Sequence, residues 1–270
     1  MEKIEFHGFR DKYIELLFEG ESKQAQKLMR SMIPHKLYKF VPLTEDEVLN
    51  ESKFDCVENN TFFFSTVKNV NDPYELKGIY LTEEDLINIG WPESEAKRIL
   101  SSYDPDEWFS IGCFSGNDEH FLPMWAYYTN NYRGYCVEYN VDDPTHIYKV
   151  LYDAERSPGA LAISGLLYAH QEEMKREAEY IQSLLKTALF TKHMSWRWEN
   201  EYRILNPLTD PTSPGSKVEL SKVGLSTARV IAGINCKPEH QERLHAICRD
   251  HSFVFSRASV SKTSFGFDEV

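Results

Sequence analysis

The chain has 270 residues, a net charge of -12 and an ordinary share of hydrophobic and charged side chains, which describes a water-soluble globular protein. That charge excludes general binding to nucleic acid or to an anionic membrane, since both want a cationic surface. Sixteen Phe and fifteen Tyr supply either a large core or an aromatic-lined pocket.

In chain order, the first thirty residues read as a helix with Phe9, Tyr13, Leu16 and Leu17 on one stripe, ended by Pro34. Residues 37–41 form a short strand, and Thr44 caps an acid-led helix. Residues 61–66 are a second strand, Asn71-Asp72-Pro73-Tyr74 a turn, and Thr82 opens a further helical region that Pro92 restarts. Residues 108–114 make a third strand, and Pro123 suits the first turn of a short helix. A clear strand follows at 134–141, with a partner at 148–152. The longest helix spans about 163–190, where Leu167, Met174, Ala178, Ile181, Leu185 and Ala188 share a face. Strands follow at 198–205, 229–234 and 252–255, with a helix at 238–249. The tail after Ser256 is polar and frayed.

Strands and helices mix without regular alternation, so the expected fold is α+β. It is a single domain over 1–270 with a mixed or antiparallel central sheet, or two small sheets, and flanking helices. Residues 1–34 are an N-terminal helical segment, 35–255 the core and 256–270 the tail. The five cysteines are scattered without CxxC spacing, so no zinc site is expected. With no signal peptide or membrane-spanning run, the expected location is the cytoplasm.

The stretch Trp198-Glu199-Asn200-Glu201-Tyr202-Arg203-Ile204 carries the most chemistry. On a strand, alternation puts Glu199, Glu201 and Arg203 on one face and Trp198, Tyr202 and Ile204 on the other. Such a row is either a self-neutralised solvent edge or the wall of a polar site. Asn71-Asp72-Pro73 reads as turn chemistry or, with Glu75, as a binding group. Asp72 with Glu75-x-Lys77 also has a metal-nuclease flavour, but with a gap of three residues, too short for such a site. No nucleophile elbow, Walker loop or dinucleotide-fold glycine motif occurs.

Several ordered segments carry a resemblance. They are residues 37–40, Phe64-Ser65 with 71–75, the block from Phe114-Ser115 through 124–128 to 134–139, residues 198–203, and 230–233. Together they resemble a bacterial family known as domain of unknown function 2971, which brings no settled activity. A looser set is similar to the ADP-ribosyltransferase superfamily: His35, Tyr38 and Lys39 around the first strand, Ser65-Thr66 ending the second, and a late Glu199-x-Glu201. The hydroxyl element departs from that superfamily's Ser-Thr-Ser. This second resemblance implies NAD as co-substrate, with Glu201 stabilising an oxocarbenium-like centre and Glu199 orienting the acceptor. Tyr38, Lys39, Ser65, Thr66, Asn71, Asp72, Tyr74, Glu75, Trp125, Trp198 and Arg203 are the expected ligand-binding residues. The alternative is a non-enzymatic nucleotide- or partner-binding module, in phage defence or stress response.

Overall fold

A computed structural model describes residues 6–102, 107–159, 189–208, 210 and 212–269. The single N-terminal helix expected from the sequence is two, α1 (Phe6–Phe18) and α2 (Ser22–Ser31). Gly20 separates them at φ +75, a left-handed conformation that ends helices. Phe9, Tyr13, Leu16 and Leu17 do form one buried stripe, joined by Ala25 and Met29.

Strand β1 (Lys36–Val41) leads to α3 (Glu47–Glu58), whose cap is Asp46 rather than Thr44. The Asp46 carboxylate accepts from the Leu49 N–H at 3.1 Å, while the Thr44 hydroxyl accepts from Asp46 itself. Then come β2 (Thr61–Thr66), β3 (Ile79–Tyr80), the Thr82-capped α4 (Glu83–Asn88) and α5 (Glu93–Ser102). Strand β4 (Phe109–Ser115), α6 (Leu122–Tyr128) and β5 (Tyr135–Val141) follow. The expected strand at 148–152 breaks at Val150 into β6 (Tyr148–Lys149) and β7 (Leu151–Asp153), which join different sheets. Short β8 (Ser157–Pro158) and β9 (Thr191–His193) precede β10 (Glu201–Pro207). The helix expected at 163–190 lies almost wholly outside the described residues. The chain continues through β11 (Gly215–Glu219), β12 (Leu225–Ala232), α7 (Pro238–His251), β13 (Val254–Val260) and β14 (Phe267–Glu269). The stretch read as a frayed tail therefore holds the end of β13 and all of β14.

The fold is α+β with a mixed central sheet. Its strands run β11-β2-β4-β1-β5-β12-β13-β14, with β10 on β4 and β6 on β10. Among the described residues only β12 and β13 pair in parallel within it, and α7 supplies the crossover that a parallel pair needs. Two small sheets, β3-β8 and β7-β9, lie beside it.

One face of the central sheet packs Leu37, Phe64, Phe114, Val137, Tyr202 and Ile204 against Phe54 of α3 and Leu244 and Ile247 of α7. The other face packs Tyr38, Phe40, Cys136 and Ile231 against Met124 and Trp125 of α6. Full burial of each such side chain contributes roughly 1.5–3 kcal/mol, so α6 is held firmly on this second face.

A local irregularity opens a cleft in this face. Strand β10 pairs with β4 along its whole length, from Glu201↔Ser115 to Pro207↔Phe109. On the opposite edge, β2 pairs only at Ser110 and Ile111, and β1 only at Ser115. Among the described residues, 112–114 of β4 thus have no strand partner on that edge. The Lys39 ammonium reaches into the gap and donates to the Cys113 carbonyl at 3.0 Å.

Candidate functional site

On the second face, a cleft of about 410 Å³ opens where β1 and β2 part. Tyr38, Lys39 and Phe40 come from β1, Phe63 and Ser65 from β2, and Cys113 and Ser115 from β4. Asn69, Asn71 and Tyr128 stand along its rim, while Glu75, Lys192, Glu199 and Glu201 close its floor.

The floor is a buried charge network. Glu201 and Arg203 share the sheet face that alternation dictates, with Tyr202 and Ile204 on the other. Glu199 does not belong to that strand. Residues 194–199 form a 3-10 turn, and Asn200 takes the left-handed conformation at φ 49, ψ 51, which resets the alternation. Gly116 makes this turn possible: its N–H donates to the Asn200 carbonyl at 2.9 Å. A Cβ there would lie 2.7 Å from both the Asn200 amide and the Tyr202 ring. The Ser115 hydroxyl donates to the Glu199 carbonyl at 2.7 Å, and the Glu201 N–H donates to the Tyr152 oxygen at 2.9 Å.

Arg203, 0% exposed, donates to Glu201 through Nε and Nη2 at 2.6 and 3.0 Å, and its Nη2 meets Glu75 at 2.5 Å. Lys192 Nζ sits 2.7 Å from Glu199, 3.1 Å from Glu201 and 3.8 Å from Glu75. The second Glu199 oxygen accepts from the Tyr128 hydroxyl, which itself accepts from the Asn71 amide at 3.2 Å. The reading of this row as a self-neutralised solvent edge is therefore wrong, because Glu199, Glu201 and Arg203 are all buried. Among the described residues three carboxylates meet two cations in this hydrogen-bonded network, so the full ionisation of its groups leaves one negative charge in excess.

That excess appears in the titration of the carboxylates. Burial pushes Glu75 above the usual carboxylate range despite Arg203, and burial does the same to Glu199 despite Lys192. Glu201 is equally buried, yet Arg203 and then Lys192 outweigh that and hold it well below the range. Burial opposes the Lys192 charge, but Glu201, Glu75 and Glu199 together hold it protonated. Burial, and then the Glu199 charge, push the Tyr128 phenol up. One fixed carboxylate thus stands beside two that can hold a proton.

The residues expected at a site separate into groups. Tyr38, Lys39, Ser65, Asn71, Glu75, Glu199 and Glu201 line this cleft, with Arg203 directly behind them. Asp72 and Tyr74 line a neighbouring cleft instead. Thr66 is buried and turned toward Pro214 and Asn69. Trp125 is 0% exposed, edge-on to Phe40 and Phe267, with its indole N–H donating to the Glu119 carbonyl. Trp198 stacks on Phe121 outside the cleft. A planar ligand therefore meets neither Trp125 nor Trp198 in this arrangement, because protein side chains already occupy both rings.

Sequence reasoning missed Lys192, Lys149 and Tyr152, and left Tyr128 out of the expected site. Lys192 follows the long helical stretch without any local pattern, and only the fold brings it to Glu199. Tyr128 lies three residues after Trp125, so helical spacing masks that one faces the core and the other the cleft. Lys149 hydrogen-bonds the Asn200 side chain and sits 4.1 Å from the Tyr202 ring, supporting the turn from the far face of β10. Among the described residues no group of His, Cys, Asp and Glu is arranged to hold a metal, and no helix is long and apolar enough to cross a membrane.

No curated protein and no solved structure matches the chain. The profile of the family described as Protein of unknown function (DUF2971) matches residues 124–204. That segment contains Tyr128, Lys192, Glu199, Glu201 and Arg203, and over it the chain is similar to that family.

Proposed function

We propose that the cleft between β1 and β2 binds a nucleotide and cleaves the nicotinamide–ribose bond of NAD, as an ADP-ribosyltransferase-like or glycohydrolase-like enzyme. The surplus of buried carboxylate over cation at the cleft floor supports this reading. Such a floor favours a ligand that carries or develops positive charge, and nicotinamide loss does both. The C–N electron pair leaves with the nicotinamide nitrogen, quenching the ring charge, while the ribose takes on oxocarbenium character. Glu201, held ionised by Arg203 and Lys192, is a fixed charge opposite that centre and need not reorganise during the reaction. Glu199, with its raised proton affinity and its Tyr128 partner, takes the proton from the water or acceptor that bonds to the ribose carbon. Lys39, in the gap beside the Cys113 carbonyl, is a cation suited to the ligand's phosphates.

The assay is nicotinamide release from NAD by wild type, Glu201→Gln and Glu199→Gln, with circular dichroism and NAD binding as controls for folding. Glu201→Gln should lose about a hundred- to a thousand-fold, mostly in kcat, and Glu199→Gln less. A wild-type protein that neither binds nor cleaves NAD, with water, protein and nucleic-acid acceptors supplied, ends this reading. One observation favours the second reading, a non-enzymatic nucleotide- or partner-binding module: Arg203 and Lys192 already satisfy both Glu201 oxygens. Saturable nucleotide binding without turnover would select it.

A further inference from the structure

Bonds within the floor network are shared unequally. Both oxygens of Glu201 accept from Arg203, and those of Glu199 accept from Lys192 and Tyr128. Glu75 differs. Its Oε1 meets the Arg203 guanidinium at 2.5 Å and the Leu76 N–H at 3.3 Å. Its Oε2 has no hydrogen-bond partner among the described residues, and the Lys192 ammonium stands off at 3.8 Å. Glu75 is only 2% exposed. Yet, unlike the second oxygen of Asp72, which has neither partner nor accessible surface, Glu75 Oε2 keeps contact with the first cleft, the one between β1 and β2. Water can serve that oxygen while the cleft is empty. A ligand that displaces the water loses affinity unless it donates in turn.

Charge and lining narrow the kind of donor. A neutral donor leaves the carboxylate surplus of the floor as it stands, and an anion is repelled by it. A metal ion needs several oxygen ligands, whereas N–H and O–H donors already hold the other floor oxygens. An organic cation with N–H groups meets both needs, because it donates to Oε2 and balances the third carboxylate. Phe63 of β2 and Tyr127 of α6, 40% and 76% exposed, line the cleft as surfaces for its body, and aromatic rings attract cations as well. We propose that the first cleft binds an organic cation, an amidinium, guanidinium or ammonium on an apolar body, whose N–H donates to Glu75 Oε2. The inference uses the same carboxylate surplus as NAD cleavage but rests on Glu75, to which that reaction gives no part. The cation also exchanges for a proton. Burial raises the proton affinity of Glu75; Arg203 and Lys192 oppose this, while Glu201 and Asp72 add to it. The empty cleft therefore holds a proton that the cation expels, and affinity rises with pH until that proton is gone.

The experiment is isothermal titration with benzamidine and its neutral planar match, benzamide, at about pH 5.5 and 8, each in two buffers of different ionisation enthalpy. Wild type should prefer benzamidine by about tenfold at the higher pH. At the lower pH it should release a proton, seen as a heat that depends on the buffer. Glu75→Gln leaves two carboxylates for two cations in the network, so it should fold and should lose both the preference and the proton release. Tyr127→Ala, at an exposed ring, should weaken benzamidine binding. Equal affinity for the pair, a preference that survives Glu75→Gln, a buffer-independent heat at the lower pH, or benzamidine binding indifferent to Tyr127→Ala would each overturn the proposal. If Glu75→Gln fails to fold, the wild-type pair and Tyr127→Ala still decide. A protein that leaves NAD intact but prefers benzamidine through Glu75 keeps this inference, and one that cleaves NAD yet treats the pair alike keeps the NAD reading alone.

Discussion

Two clusters of buried carboxylates and cations sit on the same face of the central sheet, and they are balanced differently. In one, Arg229 Nη2 bridges Glu119 and Glu138, each at 2.7 Å, and Lys36 adds a second cation to Glu138 at 2.5 Å. Lys36 and Arg229 outweigh burial, and Glu138 is held below the usual carboxylate range. In the other, Glu75, Glu199 and Glu201 outnumber Lys192 and Arg203, and burial lifts two of the three carboxylates above that range. The first cluster ties β1, β5 and β12 together and reaches solvent through Lys36, which is 53% exposed. The second is sealed from solvent yet borders a cleft. The first cluster pairs every carboxylate with a cation, whereas the second holds more carboxylates than cations and answers the shortfall by raising the proton affinity of two of them.

The sharpest way to break this comparison is Arg203→Met. Removing one partner from a buried pair strands the others, at a cost of about 3–5 kcal/mol. Arg229→Met should cost less, because Arg229 keeps some contact with solvent. Urea unfolding of both variants measures the difference, and equal losses would mean that the clusters are alike.

Lys149 sharpens the comparison through pH. Burial lowers its pKa from 10.5 to about 7, with Glu201 opposing. Between about pH 7 and 10.5 the unfolded chain therefore binds this proton more than the folded one does. Stability from this residue rises with pH across that window, and the full penalty remains below it. Lys149→Met should flatten the rise when unfolding free energies are compared at pH 6.5, 8 and 9.5. A slope unchanged by the substitution would mean that Lys149 keeps its charge in the fold.

The smallest effect belongs to the open end of the balanced cluster. Lys36→Ala should cost less than about 1 kcal/mol, the usual worth of an exposed ion pair, and should leave ligand binding untouched. A larger loss in the same unfolding assay would show that this cluster depends on Lys36 as the other depends on Arg203.

The α+β fold was legible because its signals are local. Alternation in Tyr135–Val141 and the apolar run at Thr61–Thr66 show in a few residues, and both are strands as read. That Glu199, Glu201 and Arg203 belong together was legible too, from charge beside aromatics, and one buried network joins them. Their geometry was not. Asn is the residue that most readily takes a left-handed conformation after Gly, but at Asn200 the surrounding alternation hid that preference. Burial was equally hidden, since nothing near Glu201 in sequence announces Lys192 or Glu75. The role of Trp125 was misjudged for the complementary reason: a large aromatic on a short helix packs inward or outward according to what lies across from it, here Phe40 and Phe267.

The parting of β1 from β2 along β4 has a consequence for the surface that the first cleft presents. In an antiparallel ladder a residue turns its N–H and C=O to the same edge, and Cys113 turns its carbonyl into the gap, toward Lys39. The cleft wall is therefore a length of sheet with rungs missing, and it presents main chain as well as side chains. Where a neighbouring strand would have closed the ladder, the Lys39 ammonium takes the Cys113 carbonyl instead, so one side chain does there what a strand's N–H does elsewhere.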